Sequence, residues 1–347
     1  MLRAIRQSFA LQPLSRLQIV GNGYLSLSTM SANRDVLAEE NYQANVTVTK
    51  TSKNIGILTP ETELVDNLLR HTTSLLNPNS SNIIAYSGGV DSSLVVKLVH
   101  TAFTSLEAHG SVRAVLGISN AVPTTQVDLA RRVARSIEGL DYIEILTDEG
   151  TDPIYLANEG EACFACKTHL YSALKAIVST VGDNDSVLFN GTNSDDRSDT
   201  SRVGLVAASN FSVASPLSFT PKSDIRRAAK HLGLENWNHA ASPCLRSRLA
   251  FGIEATGKHL SMVERGENWI RNVFDLNVSD NMRVRILARN RAAVELDDRF
   301  LQSNHYEELL HNKGFEDFFV KNLGFNGVFL RAFKSGGIAA MKVKGGK

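Results

Sequence analysis

The stretch Ile83-Ile84-Ala85-Tyr86-Ser87-Gly88-Gly89-Val90-Asp91-Ser92-Ser93 constrains the fold of this chain more than any other. A hydrophobic strand runs into Ser-Gly-Gly, and Asp-Ser-Ser then opens a helix. Glycines let the backbone turn tightly with its N–H groups exposed, and the helix start adds partial positive charge. Together they make an anion nest suited to pyrophosphate. No Gly-Lys-Ser/Thr follows at Walker spacing, and the Gly-x-Gly-x-x-Gly dinucleotide fingerprint is absent. A bare Gly-Gly would read as a packing turn; the whole strand-SGGVDSS-helix series reads as a ligand loop.

The surrounding pattern supplies a sheet for that loop. Asn82–Tyr86, Val112–Ile118, Tyr142–Leu146 and Ser186–Asn190 read as buried strands. Ser92–Phe103, Thr125–Ile137 and Thr168–Val178 read as the helices between them, with a further helix from Pro60 through Leu69. The alternation predicts an α/β fold with a doubly wound, mostly parallel sheet, whose ligands bind beyond the strand C-termini. Another helix is expected at Lys222–Leu232, started by Ser223 and Asp224. After Leu249 the texture changes: a helix at Gly257–Val273 and strands at Met282–Leu287 and Ala292–Leu296 predict a smaller α+β unit. The expected units are residues 60–248 and 249–330, with a solvated tail over 331–347.

Residues 1–34 carry Arg3, Arg6, Arg16 and Arg34 and no acidic residue. An Arg-rich, Ser-bearing, acid-free start reads as a transit peptide or disordered extension outside the fold, which points to an organelle matrix, with the cytoplasm as the alternative. The chain has 37 Lys and Arg against 36 Asp and Glu; without those four arginines the balance is 33 to 36. A slightly acidic body argues against a nucleic-acid partner. No apolar run reaches the roughly 18 residues of a membrane span, so no membrane partner is expected.

All three cysteines stand in polar, motif-like contexts: Cys163 and Cys166 in Glu-Ala-Cys-Phe-Ala-Cys-Lys, and Cys244 in Ala-Ser-Pro-Cys-Leu-Arg-Ser-Arg. Three chemistries are open: a redox pair before a helix, a zinc site completed by a His such as His169, or three thiolates on a [4Fe–4S] cluster. A simpler place for His169 is along the following helix. Gly191-Thr192-Asn193 ends a strand at the ligand edge, with Asp195 and Asp196 behind it. Arg283 and Arg285 share one face of a strand by period-2 spacing, and Arg246 and Arg248 flank Cys244; guanidinium forks suit phosphate. Glu264 or Glu267 faces the same region from the preceding helix. Trp237 and Trp269 are expected to pack helices.

Ser87-Gly88-Gly89-x-Asp91-Ser92 resembles the loop of the PP-loop ATP pyrophosphatases, which adenylate an oxygen and release pyrophosphate. The resemblance implies a sheet of the adenine nucleotide alpha hydrolase-like type. It also implies phosphate-holding roles for Ser87, Gly88, Gly89 and Ser92, and a magnesium role for Asp91. The wider order of SGGVDSS, Ser119-Asn120, Asp152-Pro153, EACFACK, GTNSDD, Ser-Pro-Leu, Leu234-Glu235-Asn236-Trp237 and ASPCLRSR resembles the LarE sulfurtransferases across residues 60 to 300. That likeness implies ATP and Mg2+, and adenylation of a pyridinium mononucleotide carboxylate with sulfur replacing oxygen in nickel-pincer cofactor synthesis. Cys163, Cys166 and Cys244 would bind a [4Fe–4S] cluster, with Cys244, Asp91 and Asp195 catalytic. Ser119, Gly191, Asn193, Arg246, Arg248, Arg283 and Arg285 would line the nucleotide and substrate. Family members suggest a homo-oligomer; the sulfur donor is left open. The rivals are a tRNA-thiolating PP-loop enzyme and a PP-loop amidotransferase or ligase with structural zinc.

Overall fold

A computed structural model describes residues 19–20, 60–180, 182–198, 203–302 and 313–334. Among them are strands β1 (Ile19–Val20), β2 (Ser81–Tyr86), β3 (Ser111–Ile118), β4 (Asp141–Leu146) and β5 (Val187–Phe189). They form one sheet in the order β1-β4-β3-β2-β5. β2, β3, β4 and β5 are parallel, and the two-residue β1 adds antiparallel to β4. Residues 1–34 are therefore not wholly outside the fold, as the sequence suggests: Ile19 pairs with Ile145 and Val20 with Glu144. The rest of that segment lies outside the described residues.

The β-branched run of β2 explains its central place. Ile84 and Tyr86 pack on one face with α1 (Pro60–Leu75), α2 (Val90–Thr104), α3 (Thr124–Arg135) and α8 (Lys222–His231). Ile83 and Ala85, alternating with them, pack on the other face with α5 (Ala162–Ser179) and α7 (Gly204–Asn210). Between these last helices run the short α4 (Pro153–Ala157) and α6 (Ser194–Ser198). The chain moves outward from β2 to β3 to β4 and then returns to β5 on the opposite side of β2. The order thus reverses beside β2, where open α/β sheets bind ligands.

The second sheet is β6 (Met282–Leu287), β7 (Arg291–Leu296) and β8 (Val328–Ala332), in that order. β6 and β7 pair antiparallel, β7 and β8 parallel. Their core closes against α9 (Gly257–Val273), whose Leu260, Val263 and Ile270 are buried at helical spacing. Trp269 stacks on Phe318 at 4.9 Å between centroids. Trp237 packs against the first core under Lys230. β8 carries the sheet through Ala332, so Arg331 and Ala332 belong to the sheet and not to a tail; residues 335–347 lie outside the described residues.

Two local expectations shift. α5 starts at Ala162, six residues before the expected Thr168, so Cys163 and Cys166 occupy its first turns rather than a loop before it. α8 is preceded by an extended Pro221 and has no side-chain cap from Ser223 or Asp224. Proline preorganises that helix start without a hydroxyl. No helix among the described residues is long and apolar enough to cross a membrane.

Candidate active site

At the C-terminal end of β2 the loop folds on itself. Ser92 Oγ accepts from Ser87 N at 3.2 Å, lies 3.0 Å from Ser87 Oγ and donates to Gly89 O at 3.0 Å. Gly88 has φ of 71°, and a Cβ there would stand 2.6 Å from Ala130 Cβ on α3. Only glycine meets both demands. The fully buried Asn236 donates from Nδ2 to Gly88 O (2.8 Å) and Ser93 Oγ (2.9 Å), fastening loop to helix. Gln126 Nε2 donates to Ser87 O at 2.9 Å.

Beyond β5 the backbone passes close to this loop: a Cβ on Gly191 would lie 2.8 Å from Ser92 N. Asn193 both caps α6 and reaches the loop. Its Oδ1 accepts from Asp196 N at 2.9 Å, and its Nδ2 donates to Asp91 Oδ1 at 3.2 Å. Lys222, at the start of α8, pairs with Asp91 Oδ2, and its backbone N–H donates to Asp195 Oδ2 at 3.2 Å. Asp91, Asn193, Asp195 and Lys222 thus meet over the glycine loop. The sequence reading names three of them. The sequence marks Lys222 only as a helix start, and its position directly after Pro221 is the available signal.

The thiols come from α5 and from the segment before Leu245, near the residues that follow β3 and β4. Ser119, just past β3, donates to Glu149 Oε1 at 2.6 Å, and Cys166 Sγ lies 3.8 Å from the same oxygen. Burial, followed by the Glu149 carboxylate, pushes the Cys166 thiol up to about 12. Cys163 is exposed, and Arg246 Nη2 donates to its Sγ at 2.8 Å. Burial opposes charge on Arg246, yet the Cys244 and Cys163 sulfurs hold its guanidinium above the ordinary value. Arg246 is aimed by Asn158, whose Oδ1 accepts at 2.7 Å while Nδ2 donates to Ala250 O and Ile253 O. Cys244 is carried in by the segment whose Leu245 N–H donates to Ala121 O at 2.7 Å. Among the described residues no three His, Cys, Asp or Glu side chains are placed to hold a metal ion. His169 lies along α5 between Asp148 (3.1 Å) and Asp152 (3.0 Å).

The other arginines depart from the phosphate expectation, because internal partners take up their donors. Arg248 is 1% exposed and makes a two-pronged pair with Glu267 at 2.8 and 3.2 Å. It also donates to Cys244 O at 3.3 Å, so it braces the cysteine segment. Burial alone would raise Glu267, but the Arg248 guanidinium holds it low. Arg285 pairs with Glu295 at 2.7 Å and donates to Ser247 O at 3.0 Å. Arg283 has only backbone acceptors, Met282 O and Ala241 O; burial, then repulsion from Arg248, lowers it to about 10. Glu264 does not face this region; it accepts from Thr124 N and Oγ1 at the start of α3.

No family model matches the chain. It is 29% identical over 198 residues to a pyridinium-3,5-bisthiocarboxylic acid mononucleotide synthase from Lactiplantibacillus plantarum, covering 55% of this chain and 67% of that one. It is 27% identical over 260 residues to the uncharacterized protein MJ0830 of Methanocaldococcus jannaschii, covering 74% and 92%. Identity reaches 32% over 222 residues with the uncharacterized protein slr1717 of Synechocystis, 63% of this chain and 78% of that protein. By that extent of shared sequence, the chain belongs to the family of slr1717.

Proposed function

We propose that this chain is an ATP-dependent sulfurtransferase of the PP-loop type, acting on a pyridinium mononucleotide in nickel-pincer cofactor synthesis. The observation that carries the reading is one strand edge bearing both halves of the chemistry. The glycine loop with Asp91, Asn193 and Lys222 stands beyond β2 and β5, and beyond β3 and β4 stand Cys163 beside Arg246 and Cys166 beside Glu149. The Lactiplantibacillus relative's name supplies the substrate class.

A carboxylate resists attack because its leaving group is poor and its charge repels nucleophiles. Transfer of AMP from ATP to a carboxylate oxygen removes both obstacles and releases pyrophosphate. The loop N–H groups and the start of α2 hold the polyphosphate, and Lys222 offsets its charge. Asp91, held by Asn193 and Lys222, is the carboxylate that would take magnesium, which neutralises charge on the departing pyrophosphate. Arg246 steadies anionic sulfur at Cys163 and Cys244.

The three cysteines suit, in kind though not in their present placement, a cluster that takes three thiolates and leaves one iron open. Cys163, Cys166 and Cys244 would hold it, and its open iron would keep hydrosulfide anionic at neutral pH. Anaerobically purified full chain should contain about four iron per protomer and at least as much acid-labile sulfide. Alanine at any one of the three cysteines should remove the signal. Stoichiometric zinc without iron overturns the sulfide-carrier reading. Pyrophosphate release that depends on the mononucleotide should fall at least a hundredfold in Asp91→Asn and Lys222→Met, the order of effect for losing one charge-stabilising group.

A further inference from the structure

Two buried polar atoms that no protein group satisfies belong to side chains lining the same cavity. It has a volume of about 220 Å3 and is walled by Ser119, Glu149, Thr151, Tyr155, Gly257 and Leu260. Glu149 is 3% exposed and spends Oε1 on Ser119 and Cys166, but its Oε2 has no partner. Tyr155 is 1% exposed, and its hydroxyl has no partner. Orphaned buried oxygens are costly and call for an occupant. Glu149 Oε2 is an acceptor and wants a positive charge or a donor; the Tyr155 hydroxyl can donate.

The cavity walls differ in sign. Glu149 and Asp148 make one side anionic. Gly257, which also lines the cavity, is the first residue of the seventeen-residue α9, whose start carries partial positive charge. A single six-membered ring with carboxyl substituents fits this volume. A ring that is cationic at its centre and anionic at its edge suits a lining that offers both signs.

We infer that this cavity seats the substrate's pyridinium ring, with Glu149 as counter-ion to the ring charge and the Tyr155 hydroxyl donating to a ring carboxyl. The inference rests on the substrate class proposed above and adds the residues that read it. Ser119 positions Glu149 by its 2.6 Å hydrogen bond, and Cys166 borders the same carboxylate, so the ring lies next to the thiols. Selection for a charged ring follows: a neutral ring of the same shape would leave the buried carboxylate unpaired.

Calorimetric titration of the full chain tests this with two probes that carry the same substituents and differ in ring charge. One is pyridinium-3,5-biscarboxylic acid mononucleotide, and the other is its neutral 1,4-dihydropyridine form. The wild type should bind the cationic ring at least about tenfold more tightly, as expected for a buried charge pair. Glu149→Gln, which keeps the shape, should bind both alike, and Tyr155→Phe should weaken both while preserving the preference. ATP affinity should be unchanged in both variants. A Glu149→Gln protein that still prefers the cation overturns the ring assignment and leaves the sulfurtransferase reading intact. Loss of ATP binding in Glu149→Gln places the nucleotide in the cavity and overturns the inference. A wild type that binds ATP but neither ring removes the substrate class on which the inference stands.

Discussion

Cys163 and Cys166 are three residues apart and chemically unlike. The Cys166 thiol is pushed up to about 12 by burial and by Glu149, whereas Cys163 is exposed beside Arg246. In metal-free reduced protein at pH 8, iodoacetamide should modify Cys166 at least about a hundredfold more slowly than an ordinary thiol, because a thiol held near 12 keeps little thiolate at that pH. Peptide mapping against time gives the rates, and equal rates at Cys163 and Cys166 contradict the geometry. A thiol raised in the fold contributes stability fully below the ordinary thiol value and loses it as pH climbs toward about 12. What was legible at this level follows chain separation. Ser87, Gly88, Asp91 and Ser92 announce themselves within six residues. Lys222 meets Asp91 across 131 residues and Asn236 meets Gly88 across 148, so no local pattern could join them. Arg283 and Arg285 share a strand face as their spacing says, but the internal partners that occupy Arg285 and Arg248 come from β7 and α9.

The glycine loop is shaped by α3 as much as by its own sequence. Gly88→Ala adds a left-handed backbone penalty and a Cβ 2.6 Å from Ala130, for roughly 2–4 kcal/mol of destabilisation. Gly233 has φ of 72° with nothing within 4 Å of its missing Cβ, so Gly233→Ala should cost only about 1 kcal/mol. Urea unfolding of the two variants separates strain from clash; equal losses would mean that α3 does not confine the loop. Strand and helix types were readable because buried parallel strands are short apolar runs and amphipathic helices carry their own period. The start of α5 was not, since Ala162 through Lys167 reads as a cysteine motif before it reads as helix. β8 was missed for a different reason: Val328–Ala332 pairs parallel with β7, and the residues that make it a strand come from far along the chain.

The molecule brings the sheet that carries the glycine loop and a second, smaller sheet to one edge. Leu245 N–H reaches Ala121 O, Thr124 meets Glu264, and Ala250 N–H reaches Ile286 O, so the Cys244 segment is fixed from both sides. Arg248 and Glu267 lock that segment to α9 from within. This places the glycine loop and the Cys244 segment on a common frame, as the sequential activation and thiolation of one carboxylate proposed above would require. Incubating the anaerobic full-length protein with ATP, Mg2+, sulfide and excess pyridinium-3,5-biscarboxylic acid mononucleotide, and weighing nucleotide and protein by mass spectrometry, tests this directly. Several nucleotides per chain should gain the mass of an oxygen-to-sulfur exchange, with AMP and pyrophosphate formed in equal number and the protein's mass unchanged. AMP formation without any sulfur in the nucleotide, or a protein that loses the sulfur of Cys244 after one turnover, would contradict it.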